Sequence, residues 1–402
     1  MRVERYVQVG GATPALAAVR GACVYHRILS RQTSSAPGEA LLFAVAGGIG
    51  ISARVEGPSA PRLALDFSAQ LRGGPGELIQ VMCVRLGIPA SFRHLRDTDG
   101  LLASARRALS ADEPLLLLVH AGKLAHLACP DPTPAQAVHV LTLVGLEEGG
   151  SSDSVLVADL EPAPVHVPLA ELIAAWEALS IAQRVAVTLA PPAAAIDLPK
   201  AIEAGLRVCS ERLLDPPHPR NHHGVPALGR LAEAVGDPRD AMSWGRVFPP
   251  GAALYGALKG MHMGVQHGPY GEGAGRALFA TALREAGAVV QGPDFGEVVD
   301  RYESLALAWT DLAQAALPAE VDGFAQVAEL VAARDALVRD GAPLAQRLQV
   351  QSELGALEAQ LCADFPLDDA GCRLLLGELQ ERLLGLQVEE TAAARALRLV
   401  AR

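Results

Sequence analysis

Residues 190–199, APPAAAIDLP, divide the chain into two kinds of sequence and constrain its fold more than any other segment. Adjacent prolines remove helical hydrogen bonds and hold the backbone extended, as a linker requires. Before this segment, helical stretches mix with short β-branched runs. After it, the pattern is helical almost throughout, broken by DPPHPRNHHG and GMHMGVQHGPYGEGAG. At 402 residues the chain exceeds the usual size of one core. The division expected is an α+β domain over 1–195, a helical domain over 196–320 and a helical C-terminal extension over 321–402. The extension is expected to form a helical hairpin that packs on its own domain or on a second subunit, which leaves a homo-oligomer through these helices open.

Within the first part, PGELIQVMCVRL (75–86) reads as an amphipathic helix ended by Gly87 and Pro89, and 98–109 as another with Thr98 or Asp99 as N-cap. Residues 114–119 form a buried strand. AVHVLTLVGL (137–146) and SVLVADL (154–160) form two more, joined by EEGGSSD. Helix first and sheet later, without β-α-β alternation, gives the α+β class.

Half the residues are hydrophobic and a fifth charged, as in a globular chain. The longest apolar runs, 40–51 and 114–119, fall well short of the roughly 20 residues that span a bilayer. The net charge of −11 disfavours a nucleic-acid partner. An N-terminus without a continuous apolar core, and six scattered cysteines without framework spacing, fit a cytoplasmic location.

Cysteine acyl chemistry needs a thiolate, a base and a group that orients the base. Cys23 follows Gly21-Ala22, and VYHRILSRQ after it reads as helix, so its sulfur is expected at a helix N-terminus, where the thiol pKa falls. If Leu146 pairs with Ser154, then residue 141 lies opposite residue 159, and His139 and Asp159 become diagonal neighbours on one face. A one-residue slip in the turn would put them on opposite faces. His26, three residues after Cys23, has no evident orienting carboxylate nearby, and His120, His126 and His166 are further candidates ranked below His139.

Cys23, GEALLFAVAGGIGI, AVHVLTLVGLEEG and VLVADLEPAPVHVPLAEL, followed by HHGVPALGRLAE, GEGAGRALFATALREAG and YESLALAWTDLAQ, resemble in their order the butirosin biosynthesis protein H family of papain-like cysteine enzymes. The resemblance covers roughly 20–317. It implies a papain-like N-terminal domain, a helical domain of unknown function after it, and acyl transfer from a carrier-protein or CoA-type thioester to a small amine acceptor in natural-product biosynthesis. The carry-over makes Cys23 the acyl carrier, His139 the proton shuttle and Asp159 its orienter. Tyr25, His26, Gly47 and Gly48 would lie near the substrate. No cofactor is implied, since phosphopantetheine arrives on the donor. The chain departs from the pattern at Ala22, Val24-Tyr25 and Val138. A cysteine hydrolase using the same residues, or a non-catalytic binding protein, are the alternatives.

The glycine-rich GPYGEGAGR (268–276) is expected to open a helix whose Arg276 suits a phosphate, the alternative being a tight turn with Arg276 in an internal ion pair. His218, His222, His223, His262 and His267 lack partners at ligand spacing, so no metal is expected. They would shape an acceptor pocket if the helical part folded over the sheet. SFRHLR (91–96) is a candidate docking stretch for an acidic carrier protein. Gln8 is the nearest upstream glutamine for an oxyanion hole, at a distance that leaves the second donor unassigned.

Overall fold

The computed structural model describes residues 1–57, 61–68, 74–149, 153–216, 222–237 and 243–401. Its first part runs α1 (Pro14–Tyr25), α2 (Glu39–Ala46), β1 (Ile49–Glu56), β2 (Arg62–Ser68), α3 (Gly74–Leu86), β3 (Ala90–His94), α4 (Thr98–Ser110), β4 (Leu115–His120) and α5 (Pro134–Ala137). It continues through β5 (Val138–Glu147), β6 (Ser154–Ala158), β7 (Val165–Pro168), α6 (Leu169–Glu177) and β8 (Val185–Leu189). The helical part is α7 (Leu198–Leu214), α8 (Pro226–Gly236), α9 (Trp244–Val247), α10 (Ala252–Gln266), α11 (Arg276–Val289), α12 (Gly296–Ala316), α13 (Phe324–Arg339), α14 (Leu344–Ala363) and α15 (Asp369–Val400). The chain is therefore α+β with a helical C-terminal region. None of its described helices is long and apolar enough to cross a membrane.

Six strands form one antiparallel sheet in the order β3-β8-β4-β5-β6-β7. Alternate residues of β4 serve its two faces: Leu116 and Leu118 join one core with α1 and α3, Leu115, Leu117 and Val119 the other with α4 and α6. The stretch 91–96 begins on the edge strand β3, largely exposed.

GEALLFAVAGGIGI divides into α2 and β1. Gly47 (φ 114°) ends the helix in the left-handed region, and a Cβ on Gly48 would fall 2.3 Å from the Phe279 ring. Of the two glycines expected near a substrate, Gly47 serves as the helix cap and Gly48 as a packing position. The hairpin β1–β2 stands apart from the main sheet and lies on α8 and α10. The residues before and after 190–199 therefore share one core, with α2 packed on α7 and α11.

Arg276 explains this joint and corrects the reading of it as a phosphate ligand. Its side chain is fully buried. Its Nε donates to Glu390 Oε1 at 2.7 Å and its Nη1 to the Ala274 carbonyl, while Trp309 Nε1 donates to the same Glu390 oxygen at 2.8 Å. The guanidinium carbon lies 5.2 and 5.0 Å from the Phe67 and Trp309 ring centres. One cation thus ties β2, α12 and α15 together. The long α15 packs along α7, α8 and α12 of its own chain.

Glu390→Ala would strand this cation in the core, and should lower unfolding stability by about 3–5 kcal/mol. Arg276→Met combined with Glu390→Leu should recover most of that loss. Urea denaturation checks both, and a single variant as stable as the parent would refute the role of the pair.

Candidate functional site

Position in the sheet, and one irregularity, bring His139 and Asp159 together. At its outer end β5 pairs Glu147 with Ser154 and Leu146 with Val155, one residue out of step with the expected register. A bulge between Leu143 and Gly145 absorbs the extra residue, so that Leu143 faces Val157 and Thr142 faces Ala158, and the register returns to the expected one. The bulged Val144 carbonyl accepts from Val3 N–H at 2.8 Å. His139 and Asp159 consequently share a face, and His139 Nε2 lies 2.7 Å from Asp159 Oδ1 and 2.9 Å from Oδ2.

The carboxylate serves a second histidine that the sequence did not single out as its partner. His126, in a single 3₁₀ turn after β4, places Nε2 3.0 Å from Asp159 Oδ2. Burial alone would raise the Asp159 pKa, but the His139 charge and the hydrogen bonds from both imidazoles hold it well below the usual carboxylate range. Burial likewise opposes the charged form of His126, but the bond to Asp159 and that carboxylate's charge raise its pKa overall.

Below this pair, Glu161 Oε1 accepts from Arg347 Nη1 at 2.8 Å, and the same nitrogen donates to the His126 carbonyl at 2.6 Å. Gln8 donates from Nε2 to the carbonyls of Asp159 (3.0 Å) and Glu161. Its amide is occupied in anchoring the loop that carries Asp159 and does not act as an oxyanion donor. His126, Asp159 and Glu161 offer ligand atoms within 4.8 Å of one another. The Arg347 guanidinium already supplies the positive charge there, and His126 Nε2 is engaged by Asp159, so a divalent ion would have to displace both contacts.

Because Nε2 of His139 faces Asp159, Nδ1 is the nitrogen left for the cavity of about 230 Å³ that His139 lines. Ala12 and Pro14, at the start of α1, form one wall. Gln136 and Cys129 contribute from the sheet side, and His267, Arg334 and Asp335 from the helical part. His267 Nδ1 meets Asp335 Oδ2 at 2.8 Å, and Arg334 grips Asp335 Oδ1 at 2.7 Å. The helical part closes over the sheet, and of the loop histidines His267 lines this cavity. His262 is buried beside it with Nδ1 on the Ala313 carbonyl, while His222 and His223 lie along β1. His218 lies outside the described residues.

The thiol does not occupy its expected place. α1 begins at Pro14, with Thr13 as N-cap, and Cys23 falls in its last turn rather than its first. Proline at N1 after threonine is a helix-start signal that the earlier part of the sequence carried. Cys23 is wholly buried in the core shared by α1 and α3, outside the His139 cavity. Burial, with Cys83 adding to it, pushes its thiol up to about 12. Tyr25 donates its hydroxyl to the Asp112 carbonyl, and His26 packs edge-on to Tyr25 with Nε2 buried and unpartnered; neither lines the cavity. Cys129 does line it, and burial raises its thiol pKa while Arg334 opposes the rise.

Residues 169–339 match the family described as a domain of unknown function (DUF4872), a span that runs from α6 through α13. It contains His267, Arg334 and Asp335 but not His139 or Asp159. No curated protein matches the chain.

The two shifts have opposite pH signatures. The raised His126 pKa stabilises the fold fully below its ordinary value of 6.5, a contribution lost as pH rises through the raised value. The lowered Asp159 pKa stabilises it above 3.8, a contribution lost as pH falls through the lowered value. Asp159→Asn should flatten both limbs of the stability–pH curve; unchanged limbs would show that other groups produce them. Arg347→Met should cost about 3–5 kcal/mol by leaving Glu161 buried and unpaired, and Glu161→Leu added to it should restore most of the denaturation midpoint.

Proposed function

We propose that the His139 cavity is the reaction site of a papain-like acyltransferase that moves an acyl group from a carrier-protein or CoA-type thioester to an amine. The observation that carries this reading is a histidine with one nitrogen fixed on a buried carboxylate and the other left for a cavity. An antiparallel sheet with α1 packed on β5 and the His–Asp pair on β5 and just after β6 also supports it. So does the sequence resemblance to the butirosin biosynthesis protein H family.

Cys23 is not the acyl carrier in this reading, because its thiol is buried outside the cavity. The amine attacks the thioester carbonyl directly. A C–N bond forms, the C–S bond breaks, and the amine proton passes to His139 Nδ1 and then to the departing thiolate. Asp159 accepts from Nε2–H, which fixes the tautomer that leaves Nδ1 free and stabilises the imidazolium formed in passing.

A second reading has one observation in its favour: Cys129 lines the same cavity and could carry the acyl group. Its raised pKa makes it a thiol at neutral pH, dependent on a base for activation.

Incubation of the protein with an acyl-CoA, with and without an amine, tests the scheme. His139→Ala should lower amide formation by about 10²–10⁴-fold, and Cys23→Ala should leave it intact. A mass adduct on Cys129 formed without amine, together with loss of turnover in Cys129→Ala, would establish the relay. Equal turnover in water alone would identify a hydrolase.

A further inference from the structure

A second cavity, of about 190 Å³, adjoins the first across the shared residues Pro14, Val138 and Pro269. Asp66 of β2 lines it. Its Oδ1 accepts from Ser68 N–H at 2.9 Å and its Oδ2 from the Ser68 hydroxyl at 3.4 Å, and Asp66 forms no ion pair among the described residues. Arg54 lines the same cavity and its charge acts on Asp66, but its guanidinium is committed to Glu56 at 2.6 Å and to the Ser52 hydroxyl. Asp66 is half-buried in the cavity wall, and a carboxylate withdrawn from water is normally matched by a positive charge.

Thr13 lines the same cavity and supplies an independent sign. It is 1% exposed, and its Oγ1 has no hydrogen-bond partner. An N-cap threonine ordinarily spends that oxygen on the amides of the first helical turn. Here the side chain caps nothing, and the Ala12 and Thr13 amides instead donate to the Glu39 carboxylate. A buried hydroxyl without a partner is costly unless a ligand satisfies it.

We propose that this cavity binds a small alkylammonium ion, with Asp66 as its counter-charge and Thr13 Oγ1 as a hydrogen-bond acceptor. Ala15, Leu65 and Val140 give apolar surface for the alkyl chain, and Tyr270, stacked on Phe43, lines the cavity with its hydroxyl toward Ser68. Burial pushes the Asp66 carboxyl above its ordinary value, against the Ser68 hydrogen bonds and the Arg54 charge, and a bound ammonium would lower it again. A bound ammonium would sit one wall away from His139. Its identification as the acceptor's anchoring group rests on the acyl-transfer reading, whereas cation binding itself does not.

The test uses the full chain in about 0.15 M salt, where loose surface attraction is screened, with n-butylammonium chloride as probe and butyrate and n-butanol as charge controls. Calorimetry or ligand-detected NMR should give saturable binding of butylammonium alone. Asp66→Asn should weaken it at least tenfold, Thr13→Val several-fold, and His139→Ala not at all. Circular dichroism confirms that each variant is folded, and Thr13→Val carries the test if Asp66→Asn is not. Equal binding to the parent and to the folded Asp66→Asn, or no saturable binding to the parent, overturns the proposal. Binding that depends on Asp66 in a protein without amide-forming activity upholds the cation site and removes the reaction reading. Amide formation with an unchanged KM for the amine in Asp66→Asn removes the anchoring of the acceptor at this site and keeps the reaction.

Discussion

One buried carboxylate organises the meeting point of this fold. Asp159 receives both His139 and His126, while its own carbonyl is held by Gln8 from the N-terminal segment. A charge in that position is tolerable because several donors converge on it, and each comes from a different stretch of chain. Through Glu161 the same cluster reaches Arg347 on α14, so the C-terminal extension contributes to the ground on which the histidine stands. The site is therefore a product of the whole chain and does not belong to the sheet alone.

Arg276 and Glu390 have a comparable role elsewhere in the fold, where they join the hairpin β1–β2 to α12 and α15 through one guanidinium and two rings. The buried Arg347–Glu161 pair, and the Arg276 guanidinium through the Phe67 ring, thus fasten the helical region to what precedes it. Hydrophobic contact is forgiving of small displacements, whereas a bonded guanidinium has one satisfactory orientation. This explains how side chains 128 residues apart, His139 and His267, can line one cavity in a defined relation.

Local patterns made several elements legible. α7 falls on the stretch read as helix, and the strands of the main hairpin begin and end within a residue or two of the expected positions. The pairing of His139 with Asp159 could be argued because strands alternate their faces, although the turn register assumed for it was off by one. What failed has physical reasons. GEALLFAVAGGIGI is buried on every side, so it carries no periodicity with which to divide a helix from a strand. Cys23 drew attention as a nucleophile, while the Thr13–Pro14 helix start ten residues earlier went unread. His126 and Arg347 lie 221 positions apart, and nothing in a local window could join them.

The bulge in β5 separates two concerns that a regular strand would have bound together. In an unbroken ladder, the length of the β5–β6 connection would decide which face His139 occupies, and any insertion there would turn the ring into the wrong core. With the offset taken up at Val144, and its free carbonyl covered by Val3, the inner ladder keeps its own phase whatever the outer one adopts. The connection is thereby free to diverge in sequence and length without disturbing the alignment of the ring with its carboxylate.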